Sequence, residues 1–261
     1  MSSGGEDLLR TLHRRADVLD TLTDRPRDRA DLVDELGVSR STIDRALREL
    51  EASNCVTRED GRYVTTLVGR VLLDAYATHV GQVGGIARVA DVLAELPRSA
   101  PISPEAIADA TILRPEPPAT HTPHEALEHI VDSSSRCFGF SVATTNTRTV
   151  SVVRDRALDG VPIDIVVTSD MARTVRTDFT EPVSEAMTDG TLSLYERDDL
   201  PFGMLIGDRE DRTRVAIVVY GPRYELAGIV LNDTPEIAIW AKVLYRSYRR
   251  DATPIDPTSL E

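Results

Sequence analysis

Lysine is almost missing from this 261-residue sequence: Lys242 is the single lysine among 30 basic residues, which face 43 acidic ones for a formal net charge of −13. Cysteine is equally scarce, and Cys55 and Cys137 are too few and too far apart for a disulfide framework. Aromatic residues make up 5% of the chain, so its cores must be mainly aliphatic. No apolar run approaches the roughly 20 residues of a membrane span. These absences exclude a disulfide scaffold and predict no membrane association.

Several functional motifs are also missing. The N-terminus, MSSGGEDLLR, lacks the basic and then apolar layout of a secretory leader, so we expect a cytoplasmic protein. A P-loop, a GxSxG elbow, a GxGxxG motif and an HExxH motif are all absent from the sequence. We therefore expect no cofactor and no enzymatic activity. An enzyme with an unrecognised α/β active site is the weaker alternative.

The excess of acidic residues comes with a loss of lysine, and it is spread unevenly along the chain. This composition resembles that of proteins from salt-accumulating halophilic archaea. The alternative, a GC-rich genome, would explain the loss of lysine but not the excess of Asp and Glu. Residues 1–66 carry 11 Arg against 14 Asp and Glu, a net charge of −3, and the remainder carries −10. The N-terminal quarter therefore leaves room for a local positive face, as binding to phosphate requires.

The spacing of apolar residues predicts three helices in the N-terminal quarter, at about 6–22, 29–36 and, from an N-cap at Ser39, to about 52. Gly37 supplies a turn before the third helix, and we expect Val38 to fill the corner there. Two strands, 56–58 and 62–65, should follow, joined by an Asp60-Gly61 turn. This order predicts a winged helix-turn-helix over residues 1–66. The stripe expected to be buried in the third helix is Ile43, Ala46, Leu47 and Leu50.

The third helix has the layout of a recognition helix, with short hydroxyls and arginines suited to phosphate and to the edge of guanine. Residues 29–73 resemble the winged-helix domain of archaeal transcription regulators of the ArsR/MarR type. Their sequence is RADLVDELGVSRSTIDRALRELEASNCVTREDGRYVTTLVGRVLL. The resemblance implies binding to double-stranded DNA. The alternatives are a helical bundle with merely solvated arginines, and a winged helix that binds protein. The candidate DNA-binding residues are Ser39, Arg40, Ser41, Thr42, Arg45 and Arg48 on the helix, and Arg58 and Arg62 on the wing.

Residues 67–96 are predicted to form a connecting helix with an apolar seam. The seam suits pairing with a second copy, so we expect a homodimer; the alternative is that the seam packs on its own domain. Three glycines, Gly81, Gly84 and Gly85, should weaken this helix, and they favour a break or a hinge. The seam comprises Leu72, Tyr76, His79, Val83, Ile86, Ala90 and Leu93.

Residues 97–261 are predicted to form an α/β domain, which makes the whole chain α+β or α/β. Two proline-rich segments, 96–106 and 112–123, should be connections. Beyond them helices and strands alternate, and consecutive strands follow. We expect strands at 137–144, 161–169, 191–196, 202–208, 213–221 and 225–233, a helix at 147–158, a broken helix at 171–190 and a last helix at 234–250.

Four parts of this region resemble the C-terminal domain of archaeal methanogenesis regulatory proteins. They are DVLAELPRSAPISPEAIADATIL, GVPIDIVVTSDM, LPFGMLIGD and the run from VAIVVYGP to the last helix. The resemblance covers about residues 85–252, and in that family a winged helix precedes the α/β module. We therefore expect this domain to sense a small-molecule effector or a protein partner. Ligands of α/β domains bind at the carboxyl ends of strands. The candidate effector residues are Thr168, Ser169 and Asp170, with Gly207-Asp208 and Asn232-Asp233 at later strand ends.

Each of these candidates has a simpler interpretation. Thr168, Ser169 and Asp170 would equally cap the next helix, and Asn232 or Asp233 is expected to start the last one. Trp240, Tyr245 and Tyr248 recur at helical spacing and are expected in the core. The histidines of HTPHEALEHIVD, namely His121, His124 and His129, have a spacing interrupted by Pro123, so we expect no metal site.

Overall fold

The computed structural model describes residues 3–143, 146–178 and 180–260, and the chain divides into two compact units, Met1–Gly81 and Gln82–Glu261. The division falls within helix α4 (Leu67–Leu93), which is continuous, so the glycines do not split it. One of these glycines has a packing role: at Gly85 an added Cβ would come within 2.7 Å of the carbonyl oxygen of Ile107. Gly85 therefore permits a close approach of two backbones.

The first unit has the element order predicted for a winged helix. Asp28 caps α2 with a capping box in which the Asp31 side chain returns the bond, and Gly37 ends α2 in the left-handed conformation, at φ 64°. Asp60 and Gly61 both have positive φ, 47° and 83°, as a two-residue hairpin turn requires. The elements are α1 (Ser3–Asp24), α2 (Arg29–Leu36), α3 (Arg40–Ala52), β1 (Val56–Glu59) and β2 (Arg62–Thr65).

The core of the first unit is aliphatic, as the composition predicted. All four residues of the expected α3 stripe are buried, and Leu19 and Leu32 pack in the same core from α1 and α2. The prediction for Val38 is wrong, because this side chain is 37% exposed. Gly37 turns the chain just before it, and the core between α2 and α3 is filled by Leu32 and Ile43 instead.

The second unit is built on one mixed sheet, which has eight strands in the described part of the chain, in the order β10-β6-β5-β4-β7-β8-β9-β3. Strands β4, β5 and β6 run parallel, and the other neighbouring pairs are antiparallel. The elements are β3 (Thr111–Leu113), α5 (Thr122–Ser133), β4 (Arg136–Ser141), α6 (Thr147–Leu158), β5 (Ile163–Val167), α7 (Ser169–Asp178), α8 (Thr180–Thr188), β6 (Leu192–Glu196), β7 (Gly203–Asp208), β8 (Thr213–Tyr220), β9 (Leu226–Asn232), α9 (Pro235–Arg250) and β10 (Thr253–Pro254).

Both faces of this sheet are covered. One face packs on α9, where Tyr245 is buried against Phe138 with ring centroids 4.9 Å apart, and Trp240 and Tyr248 border the same cluster. These three aromatics therefore belong to the core, as predicted. The other face carries α5 to α8 over a second aliphatic cluster. The two faces together give the predicted α+β architecture.

Two proline-rich segments contain more regular structure than predicted. Thr111–Leu113 forms β3, the edge strand beside β9, and Pro104–Ala106 forms a short 3-10 turn. Ile112 and Leu113 pair with Val230 and Ile229, so tertiary pairing overrides the turn chemistry of the neighbouring prolines.

Candidate nucleic-acid interface

The start of α3 is organised by hydroxyl groups. The Oγ atom of Ser39 accepts a hydrogen bond from the backbone N–H of Thr42 at 3.2 Å, which confirms Ser39 as the N-cap. The same Oγ lies 2.9 Å from Ser41 Oγ and 2.8 Å from Thr42 Oγ1. All three side chains are exposed. A small cluster of donors and acceptors therefore faces solvent at the positive end of the helix.

The outer face of α3 carries Arg40, Arg45 and Arg48, and all three side chains are exposed. In the described parts of the chain none of them forms an ion pair with a carboxylate. Arg48 donates through Nε to the carbonyl oxygen of Asp44 at 3.1 Å. The face therefore presents cationic donors, with the buried stripe on the opposite side fixing its orientation.

The hairpin of β1 and β2 presents Arg58 and Arg62, both exposed as predicted. Arg58 donates through Nε to the carbonyl oxygen of Gly61 at 3.4 Å, across the turn. Its guanidinium lies 5.9 Å from the ring centroid of Tyr63, a residue that is only 3% exposed. The buried Tyr63 therefore links the wing to the core and supports an arginine on its outer side.

Arg27 is an important residue that the sequence did not reveal. It is 4% exposed, and its backbone exchanges two hydrogen bonds with Tyr63, at 3.1 and 2.7 Å. Its side chain donates to both oxygens of Glu35, at 2.5 and 2.8 Å, and so joins the wing to α2. Hydrogen bonding by Arg27 lowers the pKa of Glu35. In the sequence Arg27 is one of several arginines in the run RPRDR, and nothing local separates it from its exposed neighbours.

Carboxylates surround this interface, and some of them are already neutralised. Arg29 pairs with Asp44 at 2.9 Å, and Arg15 pairs with Glu49 at 2.9 Å. The hydrogen bond from Arg15 lowers the pKa of Glu49. These pairs offset two acidic groups of α3, Asp44 and Glu49, whereas Glu51 near the end of the helix is exposed and forms no ion pair with a described residue.

The candidate effector residues lie around a polar cleft in the C-terminal unit. Thr168 Oγ1 accepts from the N–H of Met171 at 3.2 Å, so Thr168 caps α7, as the simpler interpretation held. Ser169 donates to Glu196 at 2.5 Å and is also hydrogen-bonded to Asp198. Asp170 pairs with Arg173 at 3.0 Å. All three candidates border a cleft of about 270 Å³ that is also lined by Phe202 and Tyr224.

The later strand ends do not join this cleft. Because β7 is antiparallel to β4, Asp208 at the end of β7 lies opposite Arg136 at the beginning of β4 in the strand register. The end of β9 lies at that same edge of the sheet. Gly207-Asp208 and Asn232-Asp233 do lie at strand ends, as predicted, but at the opposite edge of the sheet from Thr168, because these strands run opposite to β4 and β5.

The prediction that Asn232 or Asp233 starts the last helix is wrong: the N-cap of α9 is Thr234, whose side chain accepts from the N–H of Ile237. Asn232 Oδ1 accepts from the N–H of Thr234 at 3.0 Å and so supports the cap from the preceding turn.

The histidine segment forms α5, and Glu128, one of its three acidic residues, has a structural role. Glu128 is buried and accepts from Arg148 at 2.9 Å, with Thr149 at 3.4 Å. His121 lies 3.7 Å from Glu125 at the exposed start of the helix. Among the described residues no group of three or more His, Cys, Asp or Glu side chains is placed to hold a metal ion. None of the described helices is long and apolar enough to cross a membrane.

Two family models match the sequence. The model described as methanogenesis regulatory protein FilR1, middle domain, matches residues 120–251, and the model described as HVO_A0261 N-terminal domain matches residues 4–88. No curated protein matches the chain.

Similar solved structures include TrmBL2, described as an archaeal chromatin protein with a novel mode of DNA binding, at 12% identity over 94% of both chains and a TM-score of 0.45. NucT from Helicobacter pylori is 10% identical over 56% of this chain and 99% of its own, with a TM-score of 0.43. The phospholipase D family member Nuc from Salmonella typhimurium is 11% identical over the same shares, with a TM-score of 0.42. These likenesses are too weak to carry an argument about function. The match over residues 120–251 spans half of the sequence, and the chain therefore belongs to the family of the methanogenesis regulatory protein FilR1, middle domain.

Proposed function

We propose that this protein is a haloarchaeal transcriptional regulator that binds specific DNA sequences through an ArsR/MarR-type winged helix. It acts in the cytoplasm as a homodimer, and its C-terminal domain senses a small molecule or a partner and has no catalytic role. The regulatory family of residues 120–251 supports the general class. The observation that carries the DNA-binding part is the outer face of α3.

That face combines the two kinds of contact that specific DNA binding needs. The hydroxyls of Ser39, Ser41 and Thr42 suit phosphate oxygens, and an exposed arginine in the middle of the helix suits the O6 and N7 atoms of guanine. Arg45 is such a residue, and it forms no ion pair with any described carboxylate. Arg58 and Arg62 on the wing are placed for the neighbouring backbone or the minor groove.

The acidic charge of the protein is compatible with this role at high salt. Affinity that comes from phosphate neutralisation falls steeply as salt rises, so in molar KCl it is weak for any protein. Specificity must then come from base contacts and from the spacing of two half-sites. A local group of arginines is sufficient for this, even at a net charge of −13.

Exposed apolar side chains on α4 support a homodimer. In the first unit Val68 and Val71 are 49% and 60% exposed, and in the second Val83 and Ile86 are 53% and 39% exposed. Leu72 and Tyr76 pack on their own unit, whereas the middle of the predicted seam stays uncovered. Pairing of two copies would bury this surface and set two recognition helices about 34 Å apart, one turn of DNA.

Effector sensing is the proposed task of the C-terminal domain, with Thr168, Ser169 and Asp170 as its polar contact residues. Sensing requires that an effector bind one arrangement of the dimer better than another. A difference of about 1.4 kcal/mol between the two would change operator affinity about tenfold.

The experiment that tests this function is a genome-wide DNA pull-down with the full chain at native salt. We expect a limited set of enriched fragments that share a sequence motif with two half-sites. Uniform recovery of DNA, or recovery of a specific protein in its place, would overturn the DNA-reading role. Turnover of a substrate that survives deletion of residues 1–66 would favour the enzyme alternative.

A further inference from the structure

A cavity that is partly open to solvent lies in the C-terminal unit, between the central strands of the sheet and helices α5 to α8. Its volume is about 160 Å³. It is separate in chemistry from the polar cleft at Thr168, because its walls are mainly aliphatic side chains from α5, α6, α7 and strands β4 to β7.

The cavity leaves apolar side chains incompletely covered in the middle of the domain. Ile165 and Leu205 lie on central strands, on the face that the helices cover, and yet both are only half-buried. Val150, Val153 and Met171 face them from α6 and α7 and are also half-buried. Uncovered apolar surface of this kind is unfavourable in water, and a molecule that fills the space would remove that cost.

Polar groups in the wall already have partners within the protein. The hydroxyls of Ser141 and Tyr220 both donate to the carbonyl oxygen of Ala143, each at 2.9 Å. Arg154 donates through Nε to Asp155 at 2.8 Å. A charged ligand would therefore have to compete with these bonds, whereas an uncharged one leaves them intact. Water is also a poor occupant, because it needs two to four polar partners.

We infer that this cavity binds a compact, uncharged and largely apolar molecule, of the size of one or two fused rings. A cavity of about 150 Å³ lined by Leu, Ile and Phe in another protein stays dry and binds benzene. The volume found here matches that scale and is below the roughly 300 Å³ at which drug-sized ligand sites begin. Binding of such a molecule is inferred from the geometry of the cavity alone. A further step, in which this ligand alters DNA binding as an effector distinct from one at the polar cleft, rests on the proposed function.

The test uses indole and toluene as probes, added to the full chain at high KCl and followed by calorimetry and by thermal shift. Val153→Phe places a larger side chain at the cavity wall, and we expect it to weaken probe binding at least about tenfold. Val152→Phe is the matched control, because Val152 is a half-buried valine of the same helix and the same cluster that does not line the cavity. Its affinity for the probes should stay within about twofold of that of the unchanged protein.

A second variant covers the case in which Val153→Phe does not fold. Leu205→Ala removes side-chain volume from the wall, so it should admit naphthalene more tightly than the unchanged protein does. Absence of saturable binding of indole and toluene by the unchanged protein would overturn the inference. Equal loss in Val152→Phe and Val153→Phe would overturn it as well, because the effect would then not come from the cavity.

Operator titration separates this inference from the proposed function. Probe binding that is lost in Val153→Phe confirms the cavity as a ligand site, whether or not DNA affinity changes. If such binding leaves operator affinity unchanged, the effector role of this site is wrong while the site itself stands. If no probe binds and the operator is still recognised, the cavity inference fails and the DNA-binding proposal survives.

Discussion

At the scale of single residues, the arginines of the first unit divide into those that bind within the protein and those that face solvent. Arg15, Arg27 and Arg29 each pair with a carboxylate, whereas Arg45 and Arg62 form no ion pair with any described residue. The sequence shows all of them only as basic residues of helices, turns or strands. Their division into structural and available cations depends on tertiary contacts, such as that between Arg27 and Glu35, eight positions apart.

Arg62 is expected to contact phosphate and not a base. Arg62→Ala should then weaken binding by a similar factor for the operator and for unrelated DNA, and reduce the slope of log K against log salt by about one. Fluorescence anisotropy at several KCl concentrations measures both quantities. A slope equal to that of the unchanged protein would show that Arg62 does not reach the DNA backbone.

Arg27 is expected to hold the wing against α2. Arg27→Ala should lower the urea midpoint of the chain at neutral pH, while Arg25→Ala, an exposed neighbour, should have little effect. Because Arg27 lowers the pKa of Glu35, the stabilisation from this pair is present above the ordinary glutamate pKa of about 4.3 and is lost as the pH falls through the lower folded value. The difference between Arg27→Ala and the unchanged protein should therefore shrink below about pH 4. A difference that stays constant down to pH 3 would contradict this cause.

At the scale of elements, local rules predicted most of the first unit. The start of α3 followed from Ser39 and the hairpin from Asp60-Gly61, since caps and tight turns are decided by a few adjacent residues. The misprediction of Val38 shows the limit, because burial of a single turn residue depends on which side chains already fill the core.

The C-terminal unit was predicted as a series of elements but not as a site. Strand β3 was missed because its pairing with β9 is long-range. The sequence also does not show that the strands ending at Asp208 and Asn232 run opposite to β4, because strand direction is not encoded locally. Nothing in the sequence indicated the cavity either. Ile165 and Leu205 read as ordinary core residues, and only the assembled sheet and helices show the space between them.

The predicted dimer is an element-scale claim about α4. Val83→Asp together with Ile86→Asp should place charge on the exposed apolar surface and shift the protein to a monomer at micromolar concentration. Ala77→Asp adds an aspartate to an exposed position outside the predicted seam and should leave the dimer intact. Light scattering in high KCl gives the mass of each variant. A monomeric unchanged protein, or a dimer that survives the double substitution, would remove α4 from the interface.

At the scale of the whole molecule, the net charge of −13 sets the response to salt. Mutual repulsion of surface carboxylates destabilises the folded chain at low ionic strength, and the Debye length falls from about 10 Å at 0.1 M to about 3 Å at 1 M. The melting temperature should therefore rise with KCl up to molar concentrations. Sucrose at matched osmolarity leaves the charges unscreened, so it should give less of this rise. A melting temperature that is independent of KCl would contradict the halophilic interpretation.

The most direct test of the central claim is titration of a defined operator with three forms of the full chain at native salt. Arg45→Ala should weaken operator binding by about 1–3 kcal/mol and relax the preference for the base it contacts. Arg14→Ala, which removes an exposed arginine of α1, should bind like the unchanged protein. Equal operator affinity for Arg45→Ala and the unchanged protein, with both folded to the same extent, would contradict base reading by α3.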